Sequence, residues 1–272
     1  SRGFRCLRDG RCGFMGRGVD RWLLILATLL AAVAGLSGLV SLRNDRRRRW
    51  TVWWMRLTFL AQLGFLWQRG EMRGACPLLD LGEILAFLAW SLTLFYLVVG
   101  PAYRLSLLGL FSAPVVVLFQ AVALVPGLLE ATPEPVGATD PWRETHSAMS
   151  VLAYGGLALA AVAGVMFLVL DRQLKEHHLA SGLFRNLPPV RELLGSMDRL
   201  LWIGVAMLSV GIVAGFLMPH EGGAAHLFVA GIVWAGYVLL LGVKQWRGMT
   251  GRRFALSVVL LFVVSLSVFA FV

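Results

Sequence analysis

Charge is scarce in this chain. Of its 272 residues, 15% are Asp, Glu, Lys or Arg and 58% are hydrophobic, whereas a soluble domain carries roughly 25% charged and about 45–50% apolar residues. That balance excludes a water-soluble globule. Cysteine is scarcer still, with Cys6, Cys12 and Cys76 as the whole supply. None stands in a CxxC pair, so a thiol-redox centre and a cysteine zinc site find no support, and the lack of CxxCH removes covalent haem attachment. No G-x-S-x-G, Walker A, Rossmann or HExxH pattern occurs. Bond-making catalysis therefore has no visible apparatus, and the expectation is a protein that is not an enzyme. Alternating strands of about ten residues are missing too, which excludes a membrane β-barrel.

What is present is long apolar blocks, at approximately 22–42, 51–67, 81–100, 105–126, 147–170, 200–218, 226–243 and 254–272. Most reach the ~20 residues a helix needs to cross hydrocarbon. The expectation is an all-α, polytopic integral membrane protein of about eight transmembrane helices. Residues 1–14 read as a non-native or disordered N-terminal extension, and 15–272 as a single transmembrane helical domain. The second block is the weakest, being short and carrying Arg56.

The formal net charge is +10, and its distribution sets an orientation. One set of connections holds five Arg in 43–49, five Lys or Arg in 171–199, four in 244–253, and Arg104. The other set holds Arg17, Arg21, Arg69, Arg73 and Arg143. The positive-inside rule puts the richer set in the cytoplasm and both termini outside. This reading assigns the basic residues to the bilayer and leaves no role for nucleic acid. The location it implies is the bacterial cytoplasmic membrane, with membrane lipid as surroundings.

Two histidines fall at the outer ends of blocks, at one depth: His146 at the fifth and His226 at the seventh. Two imidazoles so placed suit the two faces of a haem iron; the same position also suits histidines at a wet boundary. His220, in Met218-Pro219-His220-Glu221-Gly222-Gly223, stands close enough to replace His226. His177 and His178 read as a solvated pair in a charged loop. Arg56 is within snorkelling reach of the inner headgroups. Glu83 lies near the outer end of the third block, either facing water or placed to hydrogen-bond a ligand imidazole. Ser147, Ser150 and Tyr154 mark one polar edge, and the Gly211–Gly215 spacing reads as close helix packing.

The ordered motifs between about residues 70 and 253 resemble the cytochrome c assembly protein family. They begin with Gly74-Ala75-Cys76-Pro77 leading to Glu83, Leu85, Phe87 and Trp90, and with His146 followed by Ser150 and Tyr154. Next come Leu187-Pro188, Met197-Asp198-Arg199 and the Gly211–Gly215 helix, then His226, Trp234, Trp246-Arg247-Gly248 and Gly251-Arg252-Arg253. The likeness is to the CcsA-related, HemX-like and YpjD-like branch that lacks the tryptophan-rich outer segment, since Pro219–Ala225 holds neither Trp nor Asp. The resemblance implies a haem-handling membrane protein of cytochrome c or respiratory-complex assembly. It implies non-covalent haem b, with His146 and His226 as axial ligands to the iron, Glu83 beside them and Trp234 as a wall. The partners it implies are other cytochrome c assembly proteins or a haem-biosynthesis enzyme. Two other readings stand beside it. One is a HemX-like adaptor that regulates such an enzyme through loop 171–199. The other is a small-molecule transporter, hinted at by Pro114 alone.

Overall fold

The computed structural model describes residues 18–41, 48–102, 106–129, 140–175, 190–218 and 225–269. The expectations for residues 1–14, His177, His178 and His220 concern residues outside that set. The described residues form eight helices: α1 Val19–Ser41, α2 Arg48–Arg73, α3 Leu81–Ala102, α4 Ser106–Ala123, α5 Pro141–Lys175, α6 Val190–Leu217, α7 Ala225–Arg247 and α8 Gly251–Phe269. Strands are absent among them. Five of the helices, α1, α3, α5, α6 and α7, are long and apolar enough to span a bilayer. The chain is an all-α polytopic membrane protein, as its apolar blocks predict.

Large apolar side chains such as Trp22, Leu36, Trp67, Phe216, Phe228 and Leu239 stay exposed on the outside of the bundle. In water such a surface would be an aggregation hazard; in hydrocarbon it is the expected face. The interior is filled largely by small and branched residues. Along α5, Tyr154 to Gly164 is buried without interruption, so this helix is apolar all round and occupies the middle of the bundle. It packs most extensively on α6, and also on α8, α3 and α4, while α1 to α4 pack among themselves.

Helix ends follow local chemistry more closely than the apolar blocks do. Helix α5 begins six residues before its apolar run because Asp140 caps it, its Oδ1 accepting from Trp142 N at 3.2 Å, and Pro141 takes the first helical position. His146 thus lies in the second turn of α5. Helix α2 continues to Arg73, where Gly74 at φ 67° turns the chain left-handed and donates N–H to Gly70 O at 2.8 Å, a glycine C-cap. The stretch 68–80, expected as a loop, is therefore helical in its first half. Arg56 is exposed, with its guanidinium 5.3 Å from the centre of the Trp53 ring.

Pairwise contacts orient the bundle. Asp20 meets Arg69, Gly82 N donates to Leu128 O, and Arg21 donates to Leu129 O. His146 meets Gly211 on α6. The starts of α1, α3, α5 and α7 and the ends of α2, α4 and α6 thus gather at one end of the bundle. At the opposite end Ser37 bonds Thr51, and Lys244 pairs with Asp198 at 2.6 Å while lying over the Phe254 ring.

Candidate functional site

His146 is the residue the sequence singled out most sharply, and α6 is shaped around it. Its Nδ1 lies 2.7 Å from Gly211 O. A carbonyl oxygen only accepts, so Nδ1 carries the proton. In the neutral ring that leaves the lone pair on Nε2, the nitrogen a metal would meet. One turn further along α6, a Cβ at Gly215 would come 2.7 Å from His146 Nδ1 and 2.5 Å from Leu227 Cδ2. At Gly211 a Cβ would meet Ser150 Oγ at 2.8 Å. The glycine pair read from sequence as helix packing is thus also the cradle of the imidazole. Of the polar edge Ser147–Ser150–Tyr154, Ser150 faces Gly211 and Tyr154 is buried.

His226 is the second residue of α7, and its side chain lies outside the described set. Its neighbour Leu227 is buried and packs beside the His146 ring. The two histidine-bearing helix starts therefore stand at the same end of the bundle. Trp234, two turns along α7, donates its Nε1–H to Ser209 Oγ on α6 at 2.8 Å. It ties α7 to α6.

Glu83 occupies a different environment, in a sealed ion cluster at the same end. Asp80 and Glu83 stand at the N-cap and third positions of α3, the spacing of a capping box. Glu83 Oε2 accepts from Leu79 N at 3.2 Å and from Asp80 N at 3.5 Å. Its Oε1 takes Arg73 Nε at 3.1 Å and lies 3.5 Å from Arg69 Nη1. Arg69 Nε reaches Asp20 at 3.0 Å, and Arg73 Nη2 reaches Asp80 at 2.8 Å. Arg69 and Glu83 are fully buried. The two arginines counted from sequence as loop charges are thus interior residues held by carboxylates. Sequence reading missed the Asp80-x-x-Glu83 cap, whose spacing was the signal available.

Between the two sites lies Cys76, in the turn joining α2 to α3. Partial burial, then the carboxylates of Glu144 and Glu83, push its thiol up to about 11. Among the described residues no group of three or more His, Cys, Asp or Glu is arranged to hold a metal ion. The chemistry available at His146 is that of a single tautomer-fixed imidazole in an apolar cradle.

Comparison with known proteins gives this arrangement relatives. The family described as "Cytochrome C assembly protein" matches residues 78–272. "Cytochrome c biogenesis protein CcsA" of Synechococcus sp. strain CC9605 is 30% identical over 232 residues, covering 75% of this chain and 75% of its own. The protein of the same name in Parasynechococcus marenigrum strain WH8102 is 28% identical over 282 residues, covering 90% of this chain and 88% of its own. That of Guillardia theta is 27% identical over 234 residues, with 76% of each chain covered.

Proposed function

The chain belongs to the cytochrome c assembly protein family, and from that premise we propose that it binds haem non-covalently as a step in building cytochrome c or a respiratory complex. The observation that carries the reading is the 2.7 Å contact between His146 Nδ1 and Gly211 O. It fixes one imidazole in the tautomer an iron ligand needs, against a wall with no room for a side chain at Gly215. These residues fit a haem group. His146 would hold one face of the iron and His226 the other, with haem b supplying the redox-active iron when bound. Glu83 is committed to Arg69 and Arg73, so its part is to brace the end of the bundle. Trp234 would act as a wall through its tie to Ser209.

In this reading the protein works by binding and positioning, without bond-making, in the bacterial cytoplasmic membrane with His146 on the outer side. Its partners are haem and other cytochrome c assembly proteins or an enzyme of haem biosynthesis. The test is a titration of the purified protein with haem, followed by absorbance. A Soret shift that disappears in the His146→Ala His226→Ala double variant supports the assignment. No shift, or a shift the double variant retains, defeats it.

A further inference from the structure

The buried polar residues are unevenly shared between the two halves. Of the thirteen buried Asp, Glu, Arg, Gln, Ser and Thr residues among those described, Ser196 and Ser265 belong to α5–α8 and the rest lie in α1–α4. Most have visible partners. The ion cluster accounts for its own charges, and Thr58, Thr93 and Ser112 donate to carbonyls of their own helices. Gln62 and Gln120 are different. Both are almost completely buried, at 1% and 0% exposure, and neither the amide nitrogen nor the oxygen of either has a hydrogen-bond partner among the described residues. The Trp90 Nε1–H shares that condition.

These three side chains lie at one depth. Along α1 and α2, Asp20 pairs with Arg69, Leu23 packs on Gly64 and Ser37 bonds Thr51, which sets Gln62 opposite Leu26. Along α1 and α4, Gly35 faces Ala113 and Gly38 faces Leu110, which sets Gln120 opposite Thr28. Two residues of α1 separate those levels, about 3 Å at 1.5 Å per residue. Trp90 joins them from α3 through its stack on Phe59, one turn from Gln62, with ring centres 5.6 Å apart. Towards the ion cluster the group is covered by an apolar layer of Leu24, Phe65, Leu66, Ala86, Ala123 and Leu129.

Five orphaned atoms at one depth in a membrane interior are too many to leave dry. Each unsatisfied buried group keeps the cost of its lost hydration, and native interiors answer such groups with ordered water that makes about two to four hydrogen bonds. The stoichiometry also selects the occupant. The amides and the indole offer five N–H donors and two carbonyl oxygens. A ligand that only accepts, such as a ketone or a quinone ring, would leave both carbonyls orphaned. Water donates and accepts.

The geometry points to an internal water site in the α1–α4 half, walled by Gln62, Trp90 and Gln120 and sealed from the ion cluster by the Phe65 layer. It uses α2, which precedes the stretch matched by the family, and it is independent of the haem reading. One turn inward from Gln62 and Trp90 stand the buried hydroxyls of Thr58 and Thr93. The α1–α4 half is therefore hydrated within the membrane interior.

The experiment is water-to-protein magnetisation transfer by solid-state NMR on the full chain in lipid vesicles, without haem. Transfer is expected to the Gln62 and Gln120 side-chain amides and to Trp90 Nε1–H. The Gln62→Leu Gln120→Leu variant, checked for folding by its thermal midpoint, is expected to lose the Trp90 signal. A second variant, Gln120→Leu alone, is expected to weaken it. Absence of transfer in the unmodified protein, correlations showing the two amides bonded directly to each other, or a Trp90 signal unchanged in the double variant would each overturn the inference.

Discussion

His146 on α5 and Gly211 on α6, 65 residues apart in sequence, are joined by an imidazole-to-carbonyl hydrogen bond of 2.7 Å. The bond does two things. It selects the ring tautomer, and it requires α6 to present bare backbone to α5, since a side chain at Gly211 or Gly215 would enter the space of Ser150 or of the ring itself. Packing and ligand geometry are one constraint at this point.

A methyl group at Gly215 is therefore expected to act on the ring before it acts on the fold. Gly215→Ala should destabilise by about 1–3 kcal/mol, the usual cost of overpacking, and should weaken haem binding and move its Soret band. Gly231→Ala on α7 is the control, because nothing lies within 4 Å of a Cβ there. It should be neutral or stabilising by up to about 1 kcal/mol. Thermal midpoints and haem titrations of the two variants check both expectations. Equal behaviour of the pair would remove Gly215 from any role at His146.

The buried ion cluster should be costly to break and cheap to replace. Arg69→Met leaves Asp20 without its arginine in a nearly unexposed site, while Glu83 keeps Arg73, and the loss of one member of a buried pair costs about 3–5 kcal/mol. Adding Asp20→Leu to Arg69→Met should recover part of that loss. Unfolding of the single and double variants in detergent measures the coupling. Additive losses would mean that the 3.0 Å contact between Arg69 and Asp20 contributes nothing.

How much of this was legible in the residues differs by element. Eight helices follow from apolar run length alone, because hydrocarbon leaves the backbone no alternative. Their ends did not follow from that criterion. Asp140-Pro141 starts α5, and the pairing of Arg69 and Arg73 keeps α2 helical where a charge count suggests a loop. His146 was legible as a chemical group at a helix start. Its cradle was not, since a G-x-x-x-G spacing says only that something approaches closely. Glu83 was legible as a membrane carboxylate, while its arginine partners, on another helix, required the fold.

At the opposite end of the bundle, Asp198 and Lys244 lie 2.6 Å apart but are a quarter to a third exposed. Solvent screening keeps such pairs within about 1 kcal/mol, and the position of Lys244 over Phe254 adds a further fraction of a kcal/mol. Asp198→Asn should therefore lower the thermal midpoint far less than Arg69→Met does. It should leave any haem spectrum unchanged, because it sits at the other end from His146. A spectral change in that variant would show that the two ends are coupled through α6.

Cys76 offers a readout of the His146 end that needs no ligand. Its thiol is raised to about 11 from an ordinary 9.0 by burial and by Glu144 and Glu83. The thiolate is the reactive form, so at pH 8 alkylation should run roughly a hundredfold slower than for an exposed cysteine, two units of pKa being two decades in the thiolate fraction. The rate should climb tenfold per pH unit until about 11. The sign carries over to stability: the folded state holds the proton more tightly, so above the unfolded thiol's 9.0 the unfolded chain ionises first and stability falls. Glu144→Gln removes one of the two carboxylates and should bring the thiol downward, speeding alkylation at pH 8. A pH–rate profile with its midpoint near 9 would mean that the Cys76 thiol is neither buried nor close to those two carboxylates.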